Sequence, residues 1–392
     1  MAKMVLAMGD IPTRVFIIAG EVSGDELGLA LMQTLIGKSD ANIEFRGVGG
    51  SQMERIGLKS IFDMEDVAVM GFSAVIMRLP LLVRRINQTA QAAIDWRPDM
   101  VILIDSPGFT HRVARKIRAR LPDVPIVDYV CPSVWAWDPS RAKKMTDYVD
   151  HVLTILPFEP RVLRDLGGPP ATYVGHPIVE AARPMRQTNG ERKSLLVLPG
   201  SRKGEITRLM PAFKEALEVL ATIRSDFDVT LPAVERHVRL IKDNTYDWPV
   251  PVNIVTGDKA KMDAFAGADA ALTASGTVCL ELALSGVPMI STYKLDPVAR
   301  QLRFLVTAWT ANLPNLIIDY PAVPEYIDEF VRPPAIARSL SRLLDDTPER
   351  ASQVESFANL ADIMTPEPGV SAAEKAADVV LSVLEKTGDK GR

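Results

Sequence analysis

An α/β fold of two successive domains is predicted by three features of the 392-residue sequence. Short β-prone apolar runs recur along the chain, and turns rich in small residues and then helical spacing follow them. The series pauses at Arg183 to Arg192 (RPMRQTNGER), where composition turns polar, and begins again at Ser194 (SLLVLPGSRKGEI). At this length the chain has enough residues for two ordinary cores. The expected domains are 1–185 and 186–365. The tail helix, 366–386, is amphipathic over Ala372 to Leu384 and is expected to pack back on the body, joining the first domain.

Composition narrows the function. With 47% hydrophobic and 24% charged residues and a net charge of -4, the chain has no general attraction to nucleic acid, so anion binding must be local. Cys131 and Cys279 stand far apart, which argues for a reducing compartment without a disulfide framework. The four histidines and two cysteines offer no metal-ligand spacing. Asp10, Pro12 and Arg14 interrupt the early apolar residues, and no stretch reaches the ~18 apolar residues of a span. A cytoplasmic protein is expected, at most resting on a membrane surface.

The first strand, Val15 to Ile18, runs into AGEVSGD (Ala19 to Asp25), and Leu27, Ala30, Leu31 and Leu35 then recur at helical spacing. This turn is not a G-x-G-x-x-G fingerprint, and Asp25 would repel a pyrophosphate. A loop lining the substrate, with Glu21 and Ser23 in it, fits better; a tight βα turn is the plain alternative. FRGVGG (Phe45 to Gly50) repeats strand end and flexible loop.

Phe72 to Ile86 has helical spacing. Phe72, Val75, Ile76, Leu79, Leu82, Val83 and Ile86 make a core stripe. The opposite face carries Met77 and Leu81 beside Arg78, Arg84 and Arg85, a composition suited to the boundary of lipid headgroups and acyl chains. Pro80 is expected to kink or split the helix.

Met100 to Ile104 reads as a buried strand, and Asp105-Ser106-Pro107-Gly108-Phe109 follows. Ligands of open α/β sheets bind at the carboxyl ends of strands, so Asp105 is placed to take a proton from an attacking hydroxyl. Ile126 to Val130 leads into CPSVWAW, where Trp135 and Trp137 either line a sugar site or close the core under the loop. Val152 to Leu156 and Thr172 to Val174 add strands, followed by Pro157-Phe158-Glu159 and Gly175-His176-Pro177.

In the second half, Pro199-Gly200-Ser201-Arg202 sets a cation at a strand end, suited to a phosphate. Further strands are expected at Asp228–Leu231, Val252–Val255, Ala268–Leu272, Pro288–Ser291 and Leu316–Ile318. Asp226-Phe227-Asp228 precedes its strand and is read as a loop, not a metal site. In ALTASGTVCLELALSGVPM (Ala271 to Met289), Ser275, Gly276 and Thr277 fall at a helix N-terminus, where free N–H groups and the helix dipole favour a diphosphate. Glu281, one turn on, is placed for ribose hydroxyls.

The motifs AGEVSGD, GVGG, VMG (Val69 to Gly71), IDSP, PSVWAW, LPFE, GHP, LPGSR, ASGT-x-x-LE, Pro288-Met289 and LPN, in this order, resemble the lipid-A-disaccharide synthases, a family of inverting glycosyltransferases. The resemblance runs from Ala19 to Asn315. It implies a GT-B architecture, two Rossmann-like domains facing across a cleft, with no required metal or other cofactor. It also implies UDP-2,3-diacylglucosamine as donor and 2,3-diacylglucosamine 1-phosphate as acceptor. The products are then a β-1′,6-linked disaccharide 1-phosphate and UDP.

Asp105 matches the family's essential aspartate and Arg202 its diphosphate arginine. Asn315 matches the asparagine of LPN, and Ser275, Gly276, Thr277 and Glu281 match the UDP segment. His176 of GHP joins Glu21, Ser23, Trp135 and Trp137 as substrate-lining. Acylated substrates give weight to membrane docking through Met77, Arg78, Leu81, Arg84 and Arg85. The implied location is the cytoplasmic face of the inner membrane, with no nucleic-acid partner and with a homodimer allowed. Three positions depart from the family pattern: Gly108, which leaves no second carboxylate near Asp105; Asp138, where an arginine is common; and PEYIDEF, where a glutamine is common. Competing readings are a GT-B-like UDP-N-acetylglucosamine epimerase or hydrolase, and a non-catalytic nucleotide-sugar-binding protein.

Overall fold

The computed structural model describes residues 12–39, 42–68, 72–180, 192–296, 300–301, 303–365, 367 and 369–388. The VMG motif and the polar stretch from Arg183 to Glu191 lie outside these residues. The chain divides into two compact units, Met1–Pro177 with Pro366–Arg392, and Ile178–Thr365.

Unit 1 alternates strand and helix. It comprises β1 (Thr13–Ala19), α1 (Val22–Lys38), β2 (Ile43–Val48), α2 (Ser51–Glu54), β3 (Lys59–Ser60), α3 (Phe72–Trp96), β4 (Met100–Ile104), α4 (Pro107–Arg118), β5 (Ile126–Tyr129), α5 (Ser140–Met145), β6 (His151–Thr154), α6 (Glu159–Asp165) and β7 (Ala171–Tyr173). The strands pair in parallel in the order β3-β2-β1-β4-β5-β6-β7. Every residue of β4 is buried, because helices cover both faces of a parallel sheet; hence its unbroken apolar run. The order reverses between β1 and β4, with Ala19 opposite Ile104 in register. The carboxyl edge at such a reversal is where open α/β sheets bind their ligands. The helix Ala372–Gly388 packs on α1 and β6 and adds Ala376, Ala377 and Val380 to this core.

Unit 2 repeats the plan. It comprises β8 (Lys193–Leu198), α7 (Lys203–Ile223), β9 (Phe227–Ala233), α8 (Val238–Thr245), β10 (Val252–Thr256), α9 (Asp258–Ala266), β11 (Ala270–Ala274), α10 (Thr277–Leu284), β12 (Met289–Tyr293) and β13 (Glu325–Ile327). Its order is β10-β9-β8-β11-β12-β13, again parallel, with the reversal between β8 and β11. Its core joins the inner residues of β8, β9 and β11 to the apolar faces of α7 and the helix Pro333–Leu344.

Two expectations about elements are corrected. Leu316–Ile318 is not a strand but the end of a helix, Leu313–Ile318. Local chemistry starts that helix: the Asn312 side chain accepts from the Asn315 N–H, and Pro314 sits in the first turn, where a missing N–H costs nothing. The sheet edge is instead β13, inside PEYIDEF.

The second correction concerns α3, which runs through Pro80 without being split. Its buried positions are Ile86, Thr89, Ala90 and Ala93, with Leu82 packed against them. Leu79 and Val83, expected in the core stripe, are 53% and 48% exposed, whereas Leu81 is half-buried. Leu79 and Val83 continue the face of Ile86, Ala90 and Ala93 toward the N-terminus, but burial of that face begins only at the later turns of the helix.

Candidate functional site

In unit 1, the reversal between β1 and β4 carries the first βα turn and Asp105. Gly20 must be glycine: a Cβ there would lie 2.6 Å from the Cβ of Ser106. That close approach brings Glu21 to Ser106, whose hydroxyl donates to Glu21 Oε1 at 3.3 Å. Asp105 and Ser106 both hold left-handed backbone, φ 53° and 45°, a strained turn that lifts the aspartate out of the strand line. The turn is pinned on both sides. Asp105 N–H donates to the Tyr129 carbonyl, and Thr110 Oγ1 donates back to the Asp105 carbonyl at 2.9 Å.

Burial raises the pKa of the Asp105 carboxyl above its ordinary value. The Ser106 N–H (2.7 Å) and the Ser23 hydroxyl work against that shift, while the charge of Asp128 adds to it. The result is a carboxylate more basic than a surface aspartate, which suits a general base.

Asp128 is a residue that the sequence did not single out. It lies on β5, fully buried, and His111 Nε2 donates to its Oδ2 at 2.9 Å. His111 Nδ1 stands 3.1 Å from the Tyr148 hydroxyl, and the Arg115 guanidinium covers the Tyr148 ring at 4.8 Å. The expectation that no second carboxylate lies near Asp105 is thereby corrected. The charge comes from the neighbouring strand and not from position 108, where a Cβ would meet only the Arg112 guanidinium, at 3.8 Å.

Asp25, by contrast, is structural. Its carboxylate accepts the N–H groups of Gly50, Gln52 and Met53 and so caps α2. Ser23 is exposed. Trp135 is half-buried and donates Nε1–H to Glu159, whereas Trp137 is 53% exposed. His176 is half-buried, and burial pulls its pKa down to about 4, so its ring is neutral at pH 7. Asp138 has φ 50°, a conformation that Asp tolerates well, and its carboxylate accepts from the Ser140 hydroxyl at 2.6 Å. Its place in the sequence is explained by the turn.

In unit 2, a cavity of ≈ 670 Å³ opens where the order reverses between β8 and β11. Arg202, Ser275, Gly276, Thr277 and Glu281 all line it. Gly200 holds φ +107°, and a Cβ there would strike the Glu205 carboxylate at 2.5 Å. That turn lets Glu205 fold back to accept from Arg202 N–H, and the Arg202 guanidinium donates to Glu205 Oε1 at 2.9 Å. Gly276 caps α10, whose free N–H groups face the cavity side of the turn. The Ser275 hydroxyl donates to the Ala311 carbonyl at 2.8 Å.

Two residues alter the expected picture. Glu281 is ion-paired with Lys261 of α9, a cavity-lining cation that sequence reasoning missed. Asn315 does not line the cavity. It is buried, and both ends of its amide are used: Nδ2 donates to the Val323 carbonyl and Oδ1 accepts the Val323 N–H, at 2.9 and 2.8 Å. Its part is to hold the segment that, through Ala311, meets Ser275.

Of the residues expected to face lipid, Arg85 donates to Asp66 and stacks over Phe62, so it belongs to the body of unit 1. Arg78 and Arg84 are exposed beside Leu79 and Val83. The Met77 side chain lies outside the described residues. Among the described residues no helix is long and apolar enough to cross a membrane, and no group of three His, Cys, Asp or Glu is placed to hold a metal. Asp226 and Asp228 are each paired with an arginine, Arg224 and Arg192.

Comparison with known proteins agrees with the motifs. The family model for lipid-A-disaccharide synthetase matches residues 15–377. A lipid-A-disaccharide synthase from Nitrobacter hamburgensis is 46% identical over 379 residues, covering 95% of this chain and 96% of its own. Among solved structures, the S. aureus MnaA-UDP complex has a TM-score of 0.62 at 13% identity, covering 96% of this chain and 97% of that one. Acinetobacter baumannii MurG has a TM-score of 0.55 at 15% identity, covering 95% and 100%. These two likenesses establish the fold, an α/β architecture of two Rossmann-like domains of the GT-B class. The chain belongs to the lipid-A-disaccharide synthase family of hexosyltransferases.

Proposed function

We propose that the chain transfers 2,3-diacylglucosamine from UDP-2,3-diacylglucosamine to the 6-hydroxyl of 2,3-diacylglucosamine 1-phosphate, releasing UDP. The observation that carries this reading is the matched placement of chemistry in the two units. Each sheet reverses once, and at each reversal stand the residues that one half of a glycosyl transfer requires: a basic carboxylate in unit 1, and a cation with a helix N-terminus in unit 2.

The step is a single displacement. Asp105 takes the hydroxyl proton as the acceptor oxygen attacks the anomeric carbon. The bond to UDP breaks on the opposite face, which inverts the centre. Arg202 and the N–H groups of α10 meet the charge that grows on the leaving diphosphate, the electrostatic contribution that dominates in such sites. Glu281 serves the ribose hydroxyls, and no resident metal enters this step.

The acyl chains give the enzyme reason to rest on the cytoplasmic face of the inner membrane. The exposed Leu79 and Val83, flanked by Arg78 and Arg84, suit that contact better than Leu81 and Arg85 do.

The test is UDP release from the diacylated donor with and without the acceptor. Acceptor-dependent release with a disaccharide in the mass spectrum is the expected result. Release without acceptor would replace this reading with a hydrolase or epimerase.

A further inference from the structure

Glu159 begins α6 and is buried, yet its carboxylate bridges two loops at the carboxyl edge of the unit 1 sheet. Oε2 accepts the Leu156 N–H of its own loop at 3.1 Å, and Oε1 accepts Nε1–H of Trp135 from the loop after β5 at 3.2 Å. The Trp135 ring meets Phe158 edge-on, with centroids 5.4 Å apart. The Nε1–H of this indole is thus held by a buried acid, and nothing in the proposed transfer uses that acid.

We propose that Glu159 is a positioning residue for Trp135 in acceptor binding, and that it fixes the indole more firmly when ionised than when neutral. The proposal rests on reading Trp135 as a residue that lines the acceptor sugar. An ionised carboxylate is a stronger acceptor than a neutral carboxyl, so a change of charge here changes how tightly the indole is held.

Burial pushes the Glu159 carboxyl up to about 8, against the Trp135, Leu156 and Ile155 hydrogen bonds, so both forms are populated near neutrality. The ionisable groups coupled to it are Cys131 on the loop after β5 and Tyr173 on β7; Asp128 and Arg141 act in turn on Cys131. Burial raises the Cys131 thiol and the Tyr173 hydroxyl well above their ordinary values, and His176 nearby in sequence stays neutral. Glu159 is the member of this cluster that changes charge between pH 7 and 9.

The test compares the full-length protein with Glu159→Gln and Trp135→Phe. The KM for 2,3-diacylglucosamine 1-phosphate in mixed micelles is measured at pH 6.5 and 9. The expected result is a KM about five-fold lower at pH 9 in the wild type, the weight of one hydrogen bond, with both variants losing that pH dependence. Ionisation of the acceptor phosphate affects all three proteins alike and cancels in the comparison. A variant that keeps the wild-type pH dependence of KM would overturn the proposal. If Glu159→Gln fails to fold, the pH dependence of KM in Trp135→Phe, which keeps an aromatic face but loses the pyrrole ring with its Nε1–H, decides alone. Failure of the Asp105 assignment would show separately, as turnover by Asp105→Asn.

Discussion

Lys261 and Glu281 form an ion pair inside the unit 2 cavity, one from α9 and the other from α10. The second cavity cation, Arg202, is likewise bonded to a cavity carboxylate, Glu205. An entering diphosphate therefore competes with two internal carboxylates, and each cation contributes only the difference between its phosphate and its carboxylate contacts. Lys261→Ala and Arg202→Ala are each expected to weaken UDP binding about ten-fold at low salt, measured by calorimetry. Unchanged affinity in either would remove that residue from the site.

Asp105→Asn is expected to bind UDP as the wild type does and to lose about 10² to 10⁴ of its turnover, the usual worth of a general base. Retained turnover would remove Asp105 as the base.

The charge of Asp128 makes the third prediction. The base must be ionised, and Asp105 titrates above its ordinary value, so kcat/KM falls as pH drops through that raised pKa. Asp128→Asn removes a negative charge that raises Asp105, so the acidic limb should move to lower pH. A limb that stays in place, or moves up, contradicts the electrostatic role given to Asp128.

Glu159 also has a stability signature. Its folded pKa, about 8, lies well above the ordinary glutamate value of 4.5, so the folded state holds the proton more tightly. This contribution to stability is present below the unfolded pKa and is lost as pH rises through the folded one. Wild-type protein should lose on the order of a few kcal/mol from this group between about pH 4.5 and 8, and Glu159→Gln should lose none of it. Thermal melts at pH 6 and 9 read the difference.

Leu79→Ser with Val83→Ser is expected to reduce binding to anionic vesicles several-fold while leaving the fold intact, because both side chains already face solvent. Vesicle flotation that does not change would return this face of α3 to an ordinary surface.

The strand-end loops were legible in the sequence because parallel strands buried on both faces read as unbroken apolar runs. Asp105 and Ser275 follow such runs directly. What could not be read depended on partners distant along the chain. Lys261 in DKAKM resembles any solvated helix face until the order β10-β9-β8-β11 brings α9 beside α10. Asp128 looks like an interruption of a strand until α4 supplies His111. Leu316–Ile318 has strand composition, but a cap and a proline placed before it decide for helix. Leu79 and Val83 share the helical phase of the buried Ile86, Ala90 and Ala93, yet they lie two turns and one turn earlier, where the side chains face solvent; a periodic pattern shows which face is apolar, not how far along the helix it is covered.

The helix Ala372–Gly388 belongs to the core of unit 1, although nearly two hundred residues of unit 2 precede it. During synthesis the amino-terminal sheet leaves the ribosome first, yet α1 and β6 keep an uncovered apolar seam until the last segment is translated. The first unit to be made is thus the last to be sealed. A premature stop near the carboxyl terminus would strike the aspartate-bearing unit, and a nascent chain would need its exposed seam shielded for the whole time unit 2 is being made.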